Sequence, residues 1–397
     1  MPEPIRVLDT HHRPGGSGPW IVAAAAVVAA AGIAVILASS GKVSESATTI
    51  PESLPTPTTV PPAPTTAPAP RTLGDLVPGF QGRIRAGALG PDEKQIAWTW
   101  SSGEAEPREV PLPGFYEPNF GQEDARWDAS LKLFAAITTV DGVGSVLHAG
   151  TPTQMQVVTD TAPLSFAWHV SAPGAIAYTT PLLDGATQLW TSPGPPFSSL
   201  RVAELPFRAR LVAYGDWGFA FSDFSTQIDE GILITLDPEG QLIGSAPLEL
   251  VDASADGQLL VKSSIDDEAS LALLDVTLVP GEQLDFGQVI GALFSPSGTW
   301  AAITTQEDDD VVLNLRQLSS LERFTVALGP ISARPVAWSD DRQWLLLVGL
   351  ETTTFENQLI FVDLANRTVY TAPIAEGVSS FGVDSIAGSL PPTLQDA

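Results

Sequence analysis

Four consecutive acids, Glu307, Asp308, Asp309 and Asp310, interrupt the apolar stretch FSPSGTWAAITTQEDDDVVLNL that runs from Phe294 to Leu315. Carboxylates so close repel one another, and a chain retains them where water or a cation offsets that repulsion. A second run, Asp266, Asp267 and Glu268, begins 41 residues earlier, and further acids recur at Asp141, Asp184, Asp229 and Glu230. Glu104, Glu106, Glu351 and Glu356 extend the series toward both ends of the chain. Gathered on one surface, these groups would attract a cationic partner, a basic protein segment or divalent cations, by long-range steering. The plainer reading is that Asp suits turns and that a solvated acidic surface keeps a protein soluble. Neither run has the D-x-[DN]-x-[DN]-G spacing that wraps calcium, so no metal site is expected.

Other chemistry is sparse. There is no G-x-S-x-G nucleophile elbow and no H-E-x-x-H zinc helix. Beyond the first 19 residues the chain has His148 and His169 alone, so any Ser-His-Asp triad must use one of them. Both are expected to be structural. Gly142-Val143-Gly144 begins like a dinucleotide loop but lacks the third glycine and a following helix, which makes it a hairpin turn. No cofactor motif is present, whereas paired carboxylates for hydrolysis remain an open alternative among so many acids.

The net charge is −27, and residues 72–397 carry all of it, with 15 Lys and Arg against 42 Asp and Glu. Nucleic acid is therefore an unsuitable partner, because binding phosphates takes a basic surface. The absence of cysteine excludes disulfides and thiolate metal sites.

Residues 20–39 include the uncharged segment WIVAAAAVVAAAGIAVILA, long enough at about 1.5 Å per residue to cross a hydrocarbon core as a helix. Arg6 and Arg13 precede it and Lys42 follows, which places the 1–19 tail in the cytoplasm and the rest of the chain outside. The competing reading is a cleaved signal peptide ending near Ala38. Residues 40–71, rich in Pro and Thr, cannot build a core and are expected to be a disordered spacer between bilayer and domain.

Within 72–397 a layout recurs: an apolar residue, a polar turn, then a strand. Phe294–Trp300 (FSPSGTW) has it, as do Trp338–Trp344 (WSDDRQW) and Ala253–Leu259 (ASADGQL), with fainter copies beginning at Leu89, Trp127, Trp168 and Ala213. These seven anchors stand 38 to 45 residues apart, the length of a four-stranded propeller blade. The fold class expected is all-β, a seven-bladed β-propeller, with an eighth blade the alternative because Val378–Ala387 also has strand character. Trp127, Trp168, Phe294 and Trp338 should pack between blades, and Ile232–Ser245 should form a hairpin around the type I turn Asp237-Pro238-Glu239-Gly240.

The segments FSPSG (294–298), ASADG (253–257) and WSDD (338–341), with strands ending in the apolar-Asp steps Leu274-Asp275 and Val362-Asp363, resemble the WD40-like repeat of TolB-type propellers. The resemblance covers roughly 300 residues. It implies architecture only, since no α/β domain is expected ahead of the repeats and TolB's partners are not carried over. Radial repetition would bring the hairpins between second and third strands onto one face, and with them the acids named above. The function expected is a monomeric, non-enzymatic binding or scaffolding module for a protein or cationic ligand at the cell envelope, anchored in the lipid bilayer by residues 20–39. The alternative is an extracytoplasmic hydrolase or lyase using carboxylates in the propeller channel.

Overall fold

The computed structural model describes residues 70–385 apart from 90–94, 113–124, 184, 209, 224–230, 264–269, 280–281, 285–287, 308–309, 321–322, 340–342, 352–355 and 375–377. The expected tail, membrane helix and nearly all of the spacer thus lie outside the described residues. Among those described, no helix is long and apolar enough to cross a membrane. One four-residue helix, Leu73–Leu76, accompanies strands that form seven four-stranded antiparallel sheets.

Each sheet is one blade, numbered here in chain order. The inner strands of blades 2 to 7 are Ala125–Trp127, Ser165–Trp168, Arg210–Gly215, Glu249–Ala253, Gln288–Phe294 and Ile331–Trp338, and each is followed outward by the next three strands of the chain. Blade 7 has the strands Ile331–Trp338, Trp344–Glu351, Asn357–Asp363 and Thr368–Pro373. In blade 4 the hairpin Ile232–Leu236 to Leu242–Ala246 turns through Asp237–Gly240, closed by the Gly240 N–H on the Asp237 carbonyl at 2.9 Å.

Blade strands are apolar on both sides because both sides are covered. In blade 7, Leu345, Leu347, Ile360 and Val362 pack against blade 6, while Trp344, Leu346, Leu359 and Phe361 pack against blade 1. The described core is accordingly seven apolar clusters, one in each gap between neighbouring blades. A fully buried Leu or Phe contributes about 1.5–3 kcal/mol, so the ring is held by these gaps more than by any single sheet.

Closure corrects two expectations. Val378–Ser385 does not begin an eighth blade; it pairs antiparallel with Gly82–Leu89 as the inner strand of blade 1, from Ala88↔Val378 to Gly82↔Ser385. Leu89 is consequently the end of a second strand, not of a first. The segment from 72 to 81 precedes that strand. Its helix is tied to blade 1 by the Leu73 and Gly74 N–H groups on the Glu104 and Ser102 carbonyls, at 2.9 and 2.7 Å. Phe80 then wedges between blades, 5.6 Å from the Trp344 ring and edge-on to it.

Candidate functional site

The expected acidic face can be followed at five of its residues, and two of them, Glu351 and Glu356, flank the connection between the second and third strands of blade 7, where the Glu351 N–H donates to the Glu356 carbonyl at 3.1 Å. Asp141 is exposed in the turn between Phe134–Val140 and Gly144–Thr151, the second and third strands of blade 2. Glu307 and Asp310 face each other at the end of the corresponding hairpin of blade 6, both exposed, with an Arg323 guanidinium nitrogen 3.8 Å from Glu307. Asp184, Asp229, Glu230, Asp266, Asp267, Glu268, Asp308 and Asp309 lie outside the described residues. Glu104 and Glu106 do not belong to this face. With blade 1 phased by its C-terminal strand, they lie between its third and fourth strands, at the opposite end. Burial pushes the Glu104 carboxyl up, but hydrogen bonds from Ser101 and the nearby Arg108 outweigh it and hold the group below the usual carboxylate range.

In blades 2, 5, 6 and 7 the residue after the anchor is used by the hairpin itself. The Ser339 hydroxyl accepts the Trp344 N–H at 2.9 Å, Ser295 accepts that of Trp300 at 3.1 Å, and Ser254 that of Gln258 at 2.9 Å. Asp128 accepts the Lys132 and Leu133 N–H groups at 3.0 and 2.9 Å. These side chains pay the hydrogen-bond debt of the turn, which is why the repeat needs a short oxygen acceptor there. The apolar-Asp steps act likewise at the third-to-fourth hairpins, where Asp363 accepts the Ala365 and Asn366 N–H groups at 3.0 and 3.1 Å.

In blade 3 the same place holds His169, and a catalytic arrangement is nearly present. Its Nε2 lies 3.3 Å from the Asp216 carboxylate and its Nδ1 lies 3.4 Å from the Ser171 hydroxyl. Nδ1, however, already accepts the Ala172 N–H at 2.9 Å and the Ser171 N–H at 3.2 Å. A nitrogen whose lone pair is taken by backbone donors cannot receive a serine proton, so the histidine is a turn cap. His148 is buried in blade 2, 3.5 Å from the Thr138 hydroxyl, and burial lowers its basicity. Both histidines are structural.

The inner strands of all seven blades contribute to one axial cavity of about 620 Å³. Part of its apolar wall comes from bulges. The inner strands of blades 4 to 7 slip register at Val212, Val251, Ile290 and Val336, and all four residues line the cavity. A bulged residue lacks a cross-strand partner and bends its strand, here along the axis. The anchors add rings. Trp127 and Trp168 line the cavity while their indole N–H groups reach across blade gaps to the Ala86 and Arg126 carbonyls, at 3.0 and 2.9 Å.

The charged wall was missed in the sequence. Arg210, Glu249 and Arg334 occupy equivalent ladder positions, opposite Ser222, Lys262 and Val348, each four residues before the end of its anchor motif at Tyr214, Ala253 and Trp338. That offset was the available signal, obscured in blade 4 because the anchor there is Tyr214 and not Ala213. Gly291 holds the equivalent position in blade 6, and a Cβ there would lie 2.8 Å from that of Arg334, so the glycine makes room for the arginine stem. Arg126 stands nearer the other end, beside Trp127. Among the described lining residues, Arg126, Arg210, Lys262 and Arg334 oppose two carboxylates, Glu249 and Asp252. Burial pushes Asp252 up to about 6, against the opposing effect of the Phe294 N–H, which donates to its Oδ2 at 2.7 Å, and of the Ala253 N–H.

No family model and no curated protein sequence matches this chain. Solved structures do. A prolyl endopeptidase is 13% identical with a TM-score of 0.50, over 78% of this chain and 51% of its own. The propeller domain of the trilobed protease from Pyrococcus furiosus, which has an open velcro topology, is 12% identical with a TM-score of 0.50, over 74% of this chain and 94% of its own. TolB from Acinetobacter baumannii is 16% identical with a TM-score of 0.39, over 62% of this chain and 64% of its own. This chain thus spans about half of the endopeptidase and just under two thirds of TolB. At such identities the likeness speaks to fold and leaves activity open. Seven radial sheets around one axial cavity, closed by the pairing of the C-terminal strand with Gly82–Leu89, make this chain a seven-bladed β-propeller.

Proposed function

We propose that this protein is a non-enzymatic docking module, held outside a membrane by residues 20–39 on the 40–71 spacer, which presents an acidic propeller face to a cationic protein partner. The observation that carries this reading is the exposure of Asp141, Glu307 and Asp310 in hairpins between second and third strands, which the propeller gathers at one end. In the sequence, Asp184, Asp229, Glu230 and the 266–268 run fall between the second and third strands of blades 3, 4 and 5. A net charge of −27 adds long-range attraction for a basic surface. The test is to neutralise 266–268 and 307–310 as amides and measure binding to basic proteins and oligolysine at low salt. Binding should fall by about tenfold or more and the wild-type affinity should drop steeply with added salt. Equal affinity in the variant removes the docking role.

One observation favours hydrolysis as a second reading: Asp252 is a channel carboxyl whose pKa is raised to about 6, as a general acid requires. Its bond to the Phe294 N–H gives it a structural use instead.

A further inference from the structure

We propose that the axial channel is a binding site for a small organic oxyanion, a carboxylate or phosphate group carried on an apolar body, gripped by Arg126, Arg210, Arg334 and Lys262. The inference is independent of the docking face and opposite to it in sign. In a molecule of net charge −27, four of the six charged residues described in the channel wall are cations. Chance placement of scarce basic residues does not account for their convergence, since each stands on a different blade: Arg126 on blade 2, Arg210 on blade 4, Lys262 on blade 5 and Arg334 on blade 7.

Arg126 is also costly where it is. The Arg126 Nε is buried with no hydrogen-bond partner among the described residues, and a buried donor left unpaired loses its hydration without return. An oxyanion in the channel would supply the missing acceptor. Guanidinium groups present a planar fork of donors that matches carboxylate and phosphate oxygens in pairs, which selects oxyanions over simple halides. The volume, about 620 Å³, fits a small molecule and excludes a folded partner. The walls between the charges are the Trp127 and Trp168 rings and the bulged valines, a surface for an apolar or aromatic body. Glu249, which faces Lys262 across the ladder, limits how much negative charge the site accepts.

The experiment is calorimetric titration of the full chain with phenyl phosphate, benzoate and inorganic phosphate at physiological salt. At least one of the two organic anions should bind saturably at one site, and which of them binds distinguishes phosphate from carboxylate. Arg126→Gln and Arg334→Gln should each weaken binding about tenfold or more, and Glu249→Gln should strengthen it. Arg334 is exposed and its replacement should leave the fold intact, so it carries the test if the Arg126 variant does not fold. Absence of saturable binding by both organic anions, whether or not inorganic phosphate binds, or unchanged affinity in the Arg334 variant, overturns the proposal. Binding of basic proteins to the same variants should not change, which separates failure of this site from failure of the docking face.

Discussion

At the residue scale the repeat is a set of turn acceptors, and Asp252 is the carboxylate whose placement has a measurable cost. It stands one residue before the blade 5 anchor and reaches across the gap to the first-strand end of blade 6, where it accepts the Phe294 N–H. Burial raises its pKa from 3.8 to about 6. A carboxyl that holds its proton more tightly folded than unfolded stabilises the fold fully at acid pH. That contribution is lost as pH rises from about 4 through 6, since over this range the folded state binds more protons than the unfolded one. A gap of about two pH units corresponds to about 3 kcal/mol. Asn keeps an oxygen to accept the same N–H without a charge to bury. Asp252→Asn should therefore match the wild type near pH 4 and exceed it by about 2–3 kcal/mol near pH 8, measured by urea unfolding at both values. A wild-type stability difference that persists unchanged between the two pH values in the variant would show that Asp252 is not the group responsible.

At the element scale the hairpins explain both what the sequence disclosed and what it hid. Ser254, Ser295 and Ser339 recur because each closes the same turn, so the period was visible wherever that acceptor was Ser or Asp. It blurred in blade 3, where His169 takes the role, and in blade 4, where the turn shrinks to Asp216 and Trp217 between two glycines. A period also carries no phase. The sequence Leu89-Gly90-Pro91-Asp92 imitates an anchor at the right spacing although Leu89 ends a second strand, and only pairing with residues almost 300 positions away reveals that. The channel cations were hidden for a related reason, since their meaning lies in four different blades meeting at one axis. The tight blade 4 turn makes a sharp prediction. Gly218 has φ +119, and a Cβ there would sit 2.0 Å from the Leu236 carbonyl oxygen in the third strand. Backbone cannot yield as a side chain can, so Gly218→Ala should cost more than about 3 kcal/mol and lower the melting temperature by roughly 6 °C or more.

At the scale of the whole molecule, a propeller is a ring whose stability depends on its last contact. The inner strand of blade 1 comes from the C-terminus and its other three strands from the start of the domain, so closure joins two distant parts of the chain. Val378–Ser385 does more than complete a ladder. Val383 joins the cluster between blades 7 and 1, and Phe381 packs against it. Ser339 of blade 7 forms a bridge with Val383, while Leu131 of blade 2 fills the space that a side chain at Gly382 would need. Removal of residues 378–397 would uncover two neighbouring blades and leave Gly82–Leu89 as an unpaired edge, a template for aggregation. Removal of 386–397 alone leaves every one of these contacts in place. The longer truncation should therefore melt roughly 10 °C or more below the full chain and precipitate on heating, whereas the shorter one should melt with it. Equal melting of both truncations would mean that some other segment closes the ring. The axial cavity provides a second readout of the same event, because Phe381 lines it and the channel is complete only while the C-terminal strand is in place. Loss of oxyanion binding in the longer truncation alone would tie closure of the ring to the site at its centre.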